Sequence, residues 1–254
     1  MTALDYAQIA DIYDGYVQVD FDIPFFLEQA SLIKSPILEL MCGTGRVSIP
    51  LIEAGAHLTC VDQSPEMLAI LHAKLASRGL TAELIQADVC DLDLGRQFEL
   101  AIIPFHSFSE IQSHADQQQA LNNITGHLLS GGRLVVTLGN PSIRLKRADG
   151  LLRLWTEQVN PQTKTSILLW GREAFDPTSG LVKGHQLYEI YNAQGVLHEQ
   201  RMVRLSFRLV EKDEFEAMAM DAGLEVVSLF GDYVYSTFQS DTSPFMIWIL
   251  EKQS

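Results

Sequence analysis

The distribution of apolar and polar positions divides the chain into two parts with different patterns. Over residues 36–138, short apolar runs alternate with stretches that carry apolar residues at helical spacing. Strands that alternate with helices predict a parallel sheet built from βαβ units with right-handed crossovers. Over residues 139–210, segments rich in β-forming residues are separated by turns that contain Gly180 and Gly195. Because glycine readily takes a positive φ, these turns predict hairpins and an antiparallel meander.

These patterns predict three regions. Residues 1–35 are expected to form an N-terminal helical lid, and residues 139–210 an antiparallel β insertion. Residues 36–138 and 211–254 are expected to form one α/β domain on either side of that insertion. The connection over residues 231–243 is of the hairpin type, so the last strand should be antiparallel. The expected fold class is α/β, a Rossmann-like seven-stranded and mostly parallel sheet with an antiparallel last strand, plus the inserted meander.

One boundary of this prediction rests on a pair of glycines. Apolar residues at helical spacing predict a helix over about residues 113–129. Gly131 and Gly132 are expected to end it, because glycine is unfavourable in a helix interior. The fifth strand is then expected over residues 133–138.

The first βαβ unit carries the strongest functional signal in the sequence. An apolar strand over residues 37–40 is followed by Gly43 and Gly45, where a bare backbone can turn sharply and approach a ligand closely. A helix is expected over about residues 46–54 and a second strand over 57–61, which Asp62 closes. An acid at that position is placed to accept hydrogen bonds from ribose hydroxyls. The unit therefore predicts a nucleoside-binding site.

Two classes of cofactor use such a unit. A dinucleotide site requires G-x-G-x-x-G, but Ser48 occupies the place of its third glycine. The sequence Glu-Leu-Met-Cys-Gly-Thr-Gly-Arg, followed by Asp62, instead resembles the first two motifs of class I S-adenosylmethionine-dependent methyltransferases. The chain departs from the family pattern at Met41, where the family has its first loop glycine. Gly43 and Gly45 remain as the glycine pair.

The resemblance implies the cofactor S-adenosyl-L-methionine and a set of residues that contact it. Asp62 is expected to hold the ribose and Asp88, at the end of the third strand, the adenine amino group. Met67 is also compatible with a simple place in the core, since its spacing is that of a buried helix face. The full set of expected cofactor-binding residues is Tyr13, Glu39, Met41, Cys42, Gly43, Gly45, Arg46, Asp62, Gln63, Met67, Ala87, Asp88, Val89 and Pro104.

Three residues are candidates for catalysis. His106 and Glu110 follow the apolar strand over residues 98–104, at the sheet edge where the methyl group should lie. For each, a structural role remains open: His106 could cap a turn, and Glu110 could stand at the start of a helix. Tyr6 belongs to the expected lid, which in the resembling family closes over the cofactor. Aromatic rings also suit a sulfonium cation.

The amino-acid composition limits the kinds of partner that the protein is expected to bind. A formal charge of −14 argues against nucleic acid and anionic membranes as partners. Cys42, Cys60 and Cys90 are too few and too scattered for a disulfide framework or a metal site, and they are ordinary for a reducing cytoplasm. We therefore expect a cytoplasmic protein that binds no metal ion. Its meander is expected to cover the substrate site and is also a candidate surface for a homodimer.

The resemblance predicts an enzyme, specifically a class I methyltransferase of the small-molecule branch. The patterns nearest to this sequence are those of sugar N,N-dimethyltransferases and of glycine or sarcosine methyltransferases. The expected reaction transfers a methyl group to an N or O atom of a small molecule or modified peptide. Two alternatives stay open from the sequence: a nucleotide-dependent oxidoreductase on a similar sheet, and a non-catalytic protein that binds S-adenosylmethionine.

Overall fold

The computed structural model describes residues 4–253 and contains two separate sheets. Helices of the first half are placed around the larger sheet, and the smaller sheet lies between the fifth strand and the last helix in sequence. The helices are α1 (Ala10–Tyr16), α2 (Ile23–Ser31), α3 (Ser48–Glu53), α4 (Pro65–Arg78), α5 (His114–Gly126), α6 (Pro141–Arg144) and α7 (Lys212–Asp221). The strands are β1 (Ile37–Leu40), β2 (Leu58–Asp62), β3 (Glu83–Gln86), β4 (Phe98–Ile103), β5 (Leu128–Gly139), β6 (Asp149–Val159), β7 (Ser166–Asp176), β8 (Leu181–Tyr191), β9 (Leu197–Arg208), β10 (Leu224–Phe230) and β11 (Phe245–Lys252).

The larger sheet has seven strands in the order β10-β11-β5-β4-β1-β2-β3. β1 pairs in parallel with β2 and β4, and β11 pairs antiparallel with both β10 and β5. The sequence-based prediction of a mostly parallel sheet with an antiparallel last strand is confirmed. Because the chain runs outwards from β1 in both directions, the carboxyl ends of β1, β2, β3 and β4 lie together at one edge, where such folds bind ligands.

Two apolar layers cover this sheet, one on each face. One contains the buried rings of Phe215 and Trp248, and the other contains α2, α3 and α4. α4 shows how the sequence produces this packing. The Ser64 hydroxyl accepts a hydrogen bond from the Met67 N–H and caps the helix, and Gly79 ends it in a left-handed conformation. The buried face of α4 comprises Met67, Leu68, Leu71 and Leu75.

The boundary between α5 and β5 differs from the prediction. α5 ends at Gly126, and β5 already begins at Leu128, so residues 128–132 are strand and not helix. The Phe98 N–H donates to the His127 carbonyl oxygen at 2.8 Å, which draws this segment onto the neighbouring strand. Gly132 is required there because a Cβ would lie 2.9 Å from the Phe98 carbonyl oxygen. The glycine pair therefore shapes a strand and does not end a helix.

The smaller sheet is the predicted antiparallel meander, with the strand order β6-β7-β8-β9. Its inner face buries Leu169, Tyr188 and Val203 against α1. The Tyr188 hydroxyl donates to the Tyr16 hydroxyl at 3.1 Å, and their ring centroids lie 5.0 Å apart. α1 is therefore fastened to the meander and not only to the larger sheet.

A short helix before the meander escaped the sequence analysis. α6 follows β5 directly, with the Asn140 side chain accepting a hydrogen bond from the Ser142 N–H and Pro141 at the first helical position. Asn140 also donates to the carbonyl oxygens of Ser240 and Ser243, which ties α6 to the loop before β11. Among residues 4–253, no helix is both long and apolar enough to cross a membrane.

Candidate active site

A cavity of about 530 Å³ opens at the carboxyl ends of the parallel strands. Val61 and Asp62 of β2 line it, together with residues from the segments that follow β1, β2, β3 and β4, and the N-terminal segment contributes Tyr6 and Tyr13. The wall comprises Tyr6, Tyr13, Met41, Gly43, Val61, Asp62, Gln63, Met67, Ala87, Asp88, Val89, Cys90, Ser107, Glu110, Ile111, Gln112, Ser113 and Asp116. Eleven of these were predicted from the sequence, and they come from the lid, the glycine turn and all three strand-end loops.

The glycine turn follows β1 and has an unusual backbone. Met41, Gly43 and Gly45 all have positive φ, at 56°, 57° and 83°. Met41 thus adopts the left-handed conformation that glycine adopts without steric cost, in the place where the resembling family has a glycine. Gly43 lines the cavity, and a Cβ on it would meet no protein atom within 4 Å. The bare backbone at Gly43 therefore leaves space on the cavity side.

Gly45 has a different role from the one predicted. A Cβ at this position would lie 2.2 Å from Leu71 Cδ1, which is buried in α4. Gly45 does not line the cavity, so the structure ties its lack of a side chain to the packing of α4. A direct contact between Gly45 and the cofactor stays a prediction.

Asp62 lies at the end of β2 and faces the cavity with its side chain 9% exposed. One carboxylate oxygen accepts from the Gly43 N–H at 2.7 Å and the other from the Ser64 N–H at 2.8 Å. Burial raises the pKa of Asp62, whereas these hydrogen bonds act to lower it. Each oxygen keeps a second lone pair, so the carboxylate can still accept two hydroxyl groups from a ligand.

The loop after β3 supplies a second acid. Asp88 lines the cavity between Ala87 and Val89, and its side chain accepts from the Cys90 N–H at 2.9 Å. This bond caps a single turn of 3₁₀ helix over Val89–Asp91 and fixes the direction of the loop. Met67, from the first turn of α4, and Val61 add apolar surface to the same part of the cavity.

Tyr6 and Glu110 form a hydrogen-bonded pair in the wall. The Tyr6 hydroxyl donates to Glu110 Oε1 at 2.5 Å, although the two residues are 104 positions apart. Burial, with a smaller contribution from the charge of Asp62, raises the pKa of Glu110 to about 7 even though the Tyr6 bond acts to lower it. Burial also raises the pKa of Tyr6, which keeps the phenol protonated. A carboxyl group in this state can exchange a proton near neutral pH.

Tyr13 stands beside this pair. Its ring lies edge-on to that of Tyr6, with the centroids 6.1 Å apart, and both rings face the cavity. Next to Tyr13 in the chain, Asp14 accepts from the Thr44 hydroxyl at 2.6 Å and forms an ion pair with Lys74 at 2.8 Å. These bonds join the N-terminal segment to the glycine turn and to α4, so the aromatic side of the cavity is held in place.

Six of the predicted site residues do not belong to the cavity wall: Glu39, Cys42, Gly45, Arg46, Pro104 and His106. Arg46 binds the buried Asp22 through two hydrogen bonds of 2.5 and 2.6 Å, and its guanidinium lies 4.5 Å from the Phe105 ring centroid. Its described contacts hold the N-terminal segment against the glycine turn. Cys42 is buried within the glycine turn, and Pro104 is buried directly after the end of β4.

His106 lies outside the cavity wall, beside Phe105 and Phe245. Its ring stacks on Phe245, with the centroids 5.3 Å apart, and its Nδ1 is buried without a hydrogen-bond partner among the described residues. Burial lowers the pKa of His106 to about 4, with the charges of Arg144 and Arg46 acting in the same direction. A neutral imidazole is expected at physiological pH, and catalysis by His106 stays a prediction.

Seven residues of the wall were not predicted from the sequence, and most of them lie in one segment. Ser107, Ile111, Gln112 and Ser113 follow β4, and Asp116 lies in the first turn of α5. The Ser113 side chain accepts from the Asp116 N–H at 3.0 Å and caps α5. The serine before an expected helix was a recognisable cap signal. Its position in the segment that follows the parallel strand β4 was the indication that it would face the cavity.

Comparisons with known proteins agree with this geometry. The methyltransferase domain family matches residues 37–132. The cypemycin N-terminal methyltransferase of Streptomyces sp is 27% identical over 222 residues, or 85% of this chain and 83% of that protein. The dTDP-3-amino-3,6-dideoxy-alpha-D-glucopyranose N,N-dimethyltransferase of Streptomyces fradiae is 28% identical over 141 residues, or 52% of this chain and 54% of that protein.

Similarity to a solved structure extends over the whole fold. The S-adenosylmethionine-dependent methyltransferase from Clostridium acetobutylicum ATCC 824 superimposes with a TM-score of 0.82 and 19% sequence identity. The match covers 98% of this chain and 99% of that one, so it includes the meander as well as the larger sheet. The chain contains a methyltransferase domain over residues 37–132, and its whole fold is that of class I S-adenosylmethionine-dependent methyltransferases. Solved structures with this fold include ones with S-adenosylmethionine bound.

The cavity of this methyltransferase fits its cofactor in shape and in chemistry. Gly43 leaves the space beside the turn that a Cβ would fill, and Asp62 and Asp88 offer acceptors for hydroxyl and amino groups. Among the residues that line the cavity in the described part of the chain, four are acids and none is Lys, Arg or His; the acids are Asp62, Asp88, Glu110 and Asp116. Such a lining favours a ligand with positive charge, as the sulfonium and ammonium groups of S-adenosylmethionine have.

Proposed function

We propose that this methyltransferase methylates a primary or secondary amine of a small molecule or peptide, with Glu110 as the proton acceptor. The observation that carries the proposal is the Tyr6–Glu110 pair in the cavity wall, with the pKa of Glu110 raised to about 7. An amine acceptor is protonated at neutral pH and has no lone pair for attack until it loses that proton. Glu110 has a pKa near neutrality, which suits a general base.

The cofactor is proposed to lie along the strand ends in an orientation that the acids define. Asp62 accepts from the ribose hydroxyls, and the backbone at Gly43 runs beside the methionine part. Asp88 with Ala87, Val89 and Met67 surrounds the adenine. The sheet order supports this arrangement, because Asp62 and Asp88 come at the ends of β2 and β3, whereas Glu110 follows β4 on the other side of β1. In this arrangement Glu110 would be the acid nearest to the transferable methyl group.

The reaction proceeds with little covalent chemistry by the protein. When bound, S-adenosylmethionine supplies a methyl carbon activated by the adjacent sulfonium charge. Glu110 would take a proton from the ammonium group of the acceptor, which frees the nitrogen lone pair that would accept this methyl group. The Tyr6 hydroxyl orients the Glu110 carboxylate, and Tyr13 presents a ring face to the cationic centre. Alignment of nitrogen and methyl carbon provides most of the rate enhancement.

An amine acceptor is also favoured by charge and by the relatives. The four carboxyl groups in the wall attract a cation and offer nothing to an anion. The names of the two curated relatives both describe methylation of an amine, one at a peptide N-terminus and one on an amino sugar. These acceptors differ in size, so the similarity supports the reactive group and leaves the rest of the acceptor open.

Matched acceptors test the proposal. The enzyme is incubated with S-adenosylmethionine that carries a deuterated methyl group, and with pairs of compounds that differ only in the amine. One pair is a short peptide and its N-acetylated form, and another is an amino sugar and the sugar with a hydroxyl in that place. Mass spectrometry should find the label on the amine compounds alone. Label on hydroxyl groups, with the amines of the same panel unmodified, would contradict an amine specificity.

A further inference from the structure

The outer face of the meander differs sharply from its inner face. Side chains alternate along each strand, so the neighbours of the buried Leu169, Tyr188 and Val203 point away from α1. A solvated outer face of an antiparallel sheet usually carries polar residues. Here it carries large apolar side chains instead, of which Leu154 is 43% exposed and Met202 is 66% exposed.

These apolar side chains form one continuous row across the sheet. Leu154 of β6 pairs with Trp170 of β7, Trp170 with Leu187 of β8, and Leu187 with Met202 of β9. Directly paired residues point to the same face of a sheet, so the row crosses all four strands without a break. Contiguous exposed apolar surface of this kind marks an interaction site.

The residues on either side of the apolar row carry opposite charges. The neighbouring row on one side is Leu152, Arg172, His185 and Arg204, and the row on the other side is Glu157, Leu168, Glu189 and Gln200. Among the described residues, Arg172, Arg204 and Glu157 form no salt bridge. The outer face is therefore an apolar row between a basic row and an acidic row, with charges that this chain does not neutralise.

We propose that the outer face of the meander binds the same face of a second copy and forms a two-fold symmetric homodimer. A two-fold axis along the apolar row places that row against its symmetry mate. The same rotation exchanges the two sides, so the basic row of one copy meets the acidic row of the other. Each contact then occurs twice, as an isologous interface requires.

The charge pattern selects this axis over the alternative. An axis parallel to the strands would also bring the apolar rows together, but it would place basic row on basic row and acidic row on acidic row. In the chosen arrangement, Arg172 lies over Leu168 of the second copy, between that copy's Glu157 and Glu189. The strands of the two sheets also remain nearly aligned, which is the common geometry of face-to-face sheet packing.

The size of the face is adequate for a stable dimer. With about 4.8 Å between strands and about 3.3 Å per residue, four strands of about 11 residues span roughly 19 by 36 Å. That is about 700 Å² for each copy, close to the roughly 800 Å² per partner of a standard specific interface. Trp170 within the row and Met202 at its end on β9 are of the residue types enriched in interface cores. The occupant that fits both the charges and the area is a second copy of this chain.

Charge reversal tests this geometry through complementation. Sedimentation velocity at micromolar concentration should show a dimer for the unaltered chain. Arg172→Glu alone and Glu157→Arg alone should each shift the protein to a monomer, because each places like charges together at both symmetry-related contacts. An equimolar mixture of the two variants should recover the dimer. In the mixed dimer the altered residue of one copy faces the altered residue of the other, with opposite charge, and the unaltered Arg172 faces the unaltered Glu157. Retained binding of S-adenosylhomocysteine shows that each variant is folded.

A matched methionine pair tests the apolar row. Met202→Asp should give a monomer, whereas Met220→Asp, at a methionine on α7 that is 64% exposed, should remain a dimer. A monomeric unaltered chain would overturn the proposal. Stronger association of the Arg172→Glu variant by itself would also overturn it. That result is expected if the basic rows of the two copies face each other, because the new carboxylate would then lie against basic residues. Equal loss of the dimer in both methionine variants would place the interface elsewhere.

Discussion

Asp62 is the residue on which we expect cofactor binding to depend most. Its carboxylate is tied to the Gly43 and Ser64 amides, so it is already oriented before any ligand arrives. Asp62→Ala should weaken binding of S-adenosylhomocysteine by roughly 1–3 kcal/mol, the scale of lost hydrogen bonds to a charged group. Titration calorimetry measures this change. Asp91→Ala, which removes an exposed acid from the loop after β3, is the control and should bind as the unaltered enzyme does.

Two outcomes of that titration are informative. Asp62→Asn keeps one acceptor oxygen and should fall between the alanine variant and the unaltered enzyme. If Asp62→Ala binds S-adenosylhomocysteine with unchanged affinity while it remains folded, the ribose is held by another group.

Glu39 belongs to the predicted cofactor-binding motif, but its burial lowers the stability of the folded chain at high pH. It is buried in β1, its Oε2 has no hydrogen-bond partner among the described residues, and burial raises its pKa to about 8. The folded chain therefore keeps this proton up to about pH 8, whereas the unfolded chain loses it near the ordinary value of 4.5. Ionisation of Glu39 thus lowers stability as the pH rises from about 4.5 to about 8.

Replacement of Glu39 should expose this dependence. Glu39→Gln has the shape of the neutral acid and cannot ionise, so its melting temperature should match that of the unaltered enzyme near pH 5 and exceed it at pH 8.5. Glu99→Gln, at an exposed position of β4, provides the control and should not show a pH-dependent difference of this kind. Identical melting curves for Glu39→Gln and the unaltered enzyme at pH 8.5 would refute a buried, protonated Glu39.

Between β1 and α4, the two glycines of the turn have separable roles. Gly45→Ala should lower the free energy of unfolding by roughly 1–3 kcal/mol through contact with Leu71, the scale of an overpacked core. Gly43→Ala meets no protein atom, so it should mainly lower the affinity for S-adenosylhomocysteine. Urea unfolding and calorimetry on both variants separate the two effects.

Both substitutions also place alanine at a positive φ. The free-energy cost of this backbone strain has to be subtracted from the measured change in the free energy of unfolding. Gly95→Ala provides that value, because Gly95 has a φ of 61° in an exposed turn and a Cβ there meets nothing within 4 Å. If Gly43→Ala binds the cofactor normally and Gly45→Ala does not, the roles assigned to the two glycines are reversed.

At the level of helices and strands, the local sequence was sufficient to predict an element where a capping residue or a single hydrophobic period determines it. Ser64, Pro65 and Gly79 mark the ends of α4, and the structure follows them. The end of α5 was predicted wrongly because a long-range pairing decides it. The Phe98 N–H binds the His127 carbonyl oxygen and converts the residues before Gly131 into strand. No helical or strand period within residues 113–132 contains that information.

The same distinction applies to the site. Asp62 and Asp88 could be predicted to meet in one cavity because the ends of neighbouring parallel strands lie at one edge. The bond between Tyr6 and Glu110 could not, since it depends on how α1 packs against the meander. Arg46 was expected at the cofactor, but Asp22 from the N-terminal segment binds its guanidinium. In both cases, a hydrogen-bond partner far away in the sequence determines where the side chain lies.

Taken as a whole, the molecule builds its cavity from regions that the larger sheet alone does not contain. The N-terminal segment contributes Tyr6 and Tyr13, and the meander holds that segment through the Tyr16–Tyr188 contact and the Asp11–Arg201 ion pair. We therefore expect catalysis to depend on the meander even where the meander does not line the cavity. Glu110 is the acid that we propose as the base, and its state of ionisation links the structure to the proposed reaction.

The pH dependence of kcat for an amine acceptor tests the account most directly. With Glu110 as the base and its pKa raised to about 7, kcat of the unaltered enzyme should rise with pH and level off above about pH 7. Glu110→Gln should lower kcat by about 10²–10⁴-fold and remove that step from the profile, while the affinity for S-adenosylhomocysteine stays nearly unchanged. A Glu110→Gln enzyme with full kcat and the same pH profile would contradict the account.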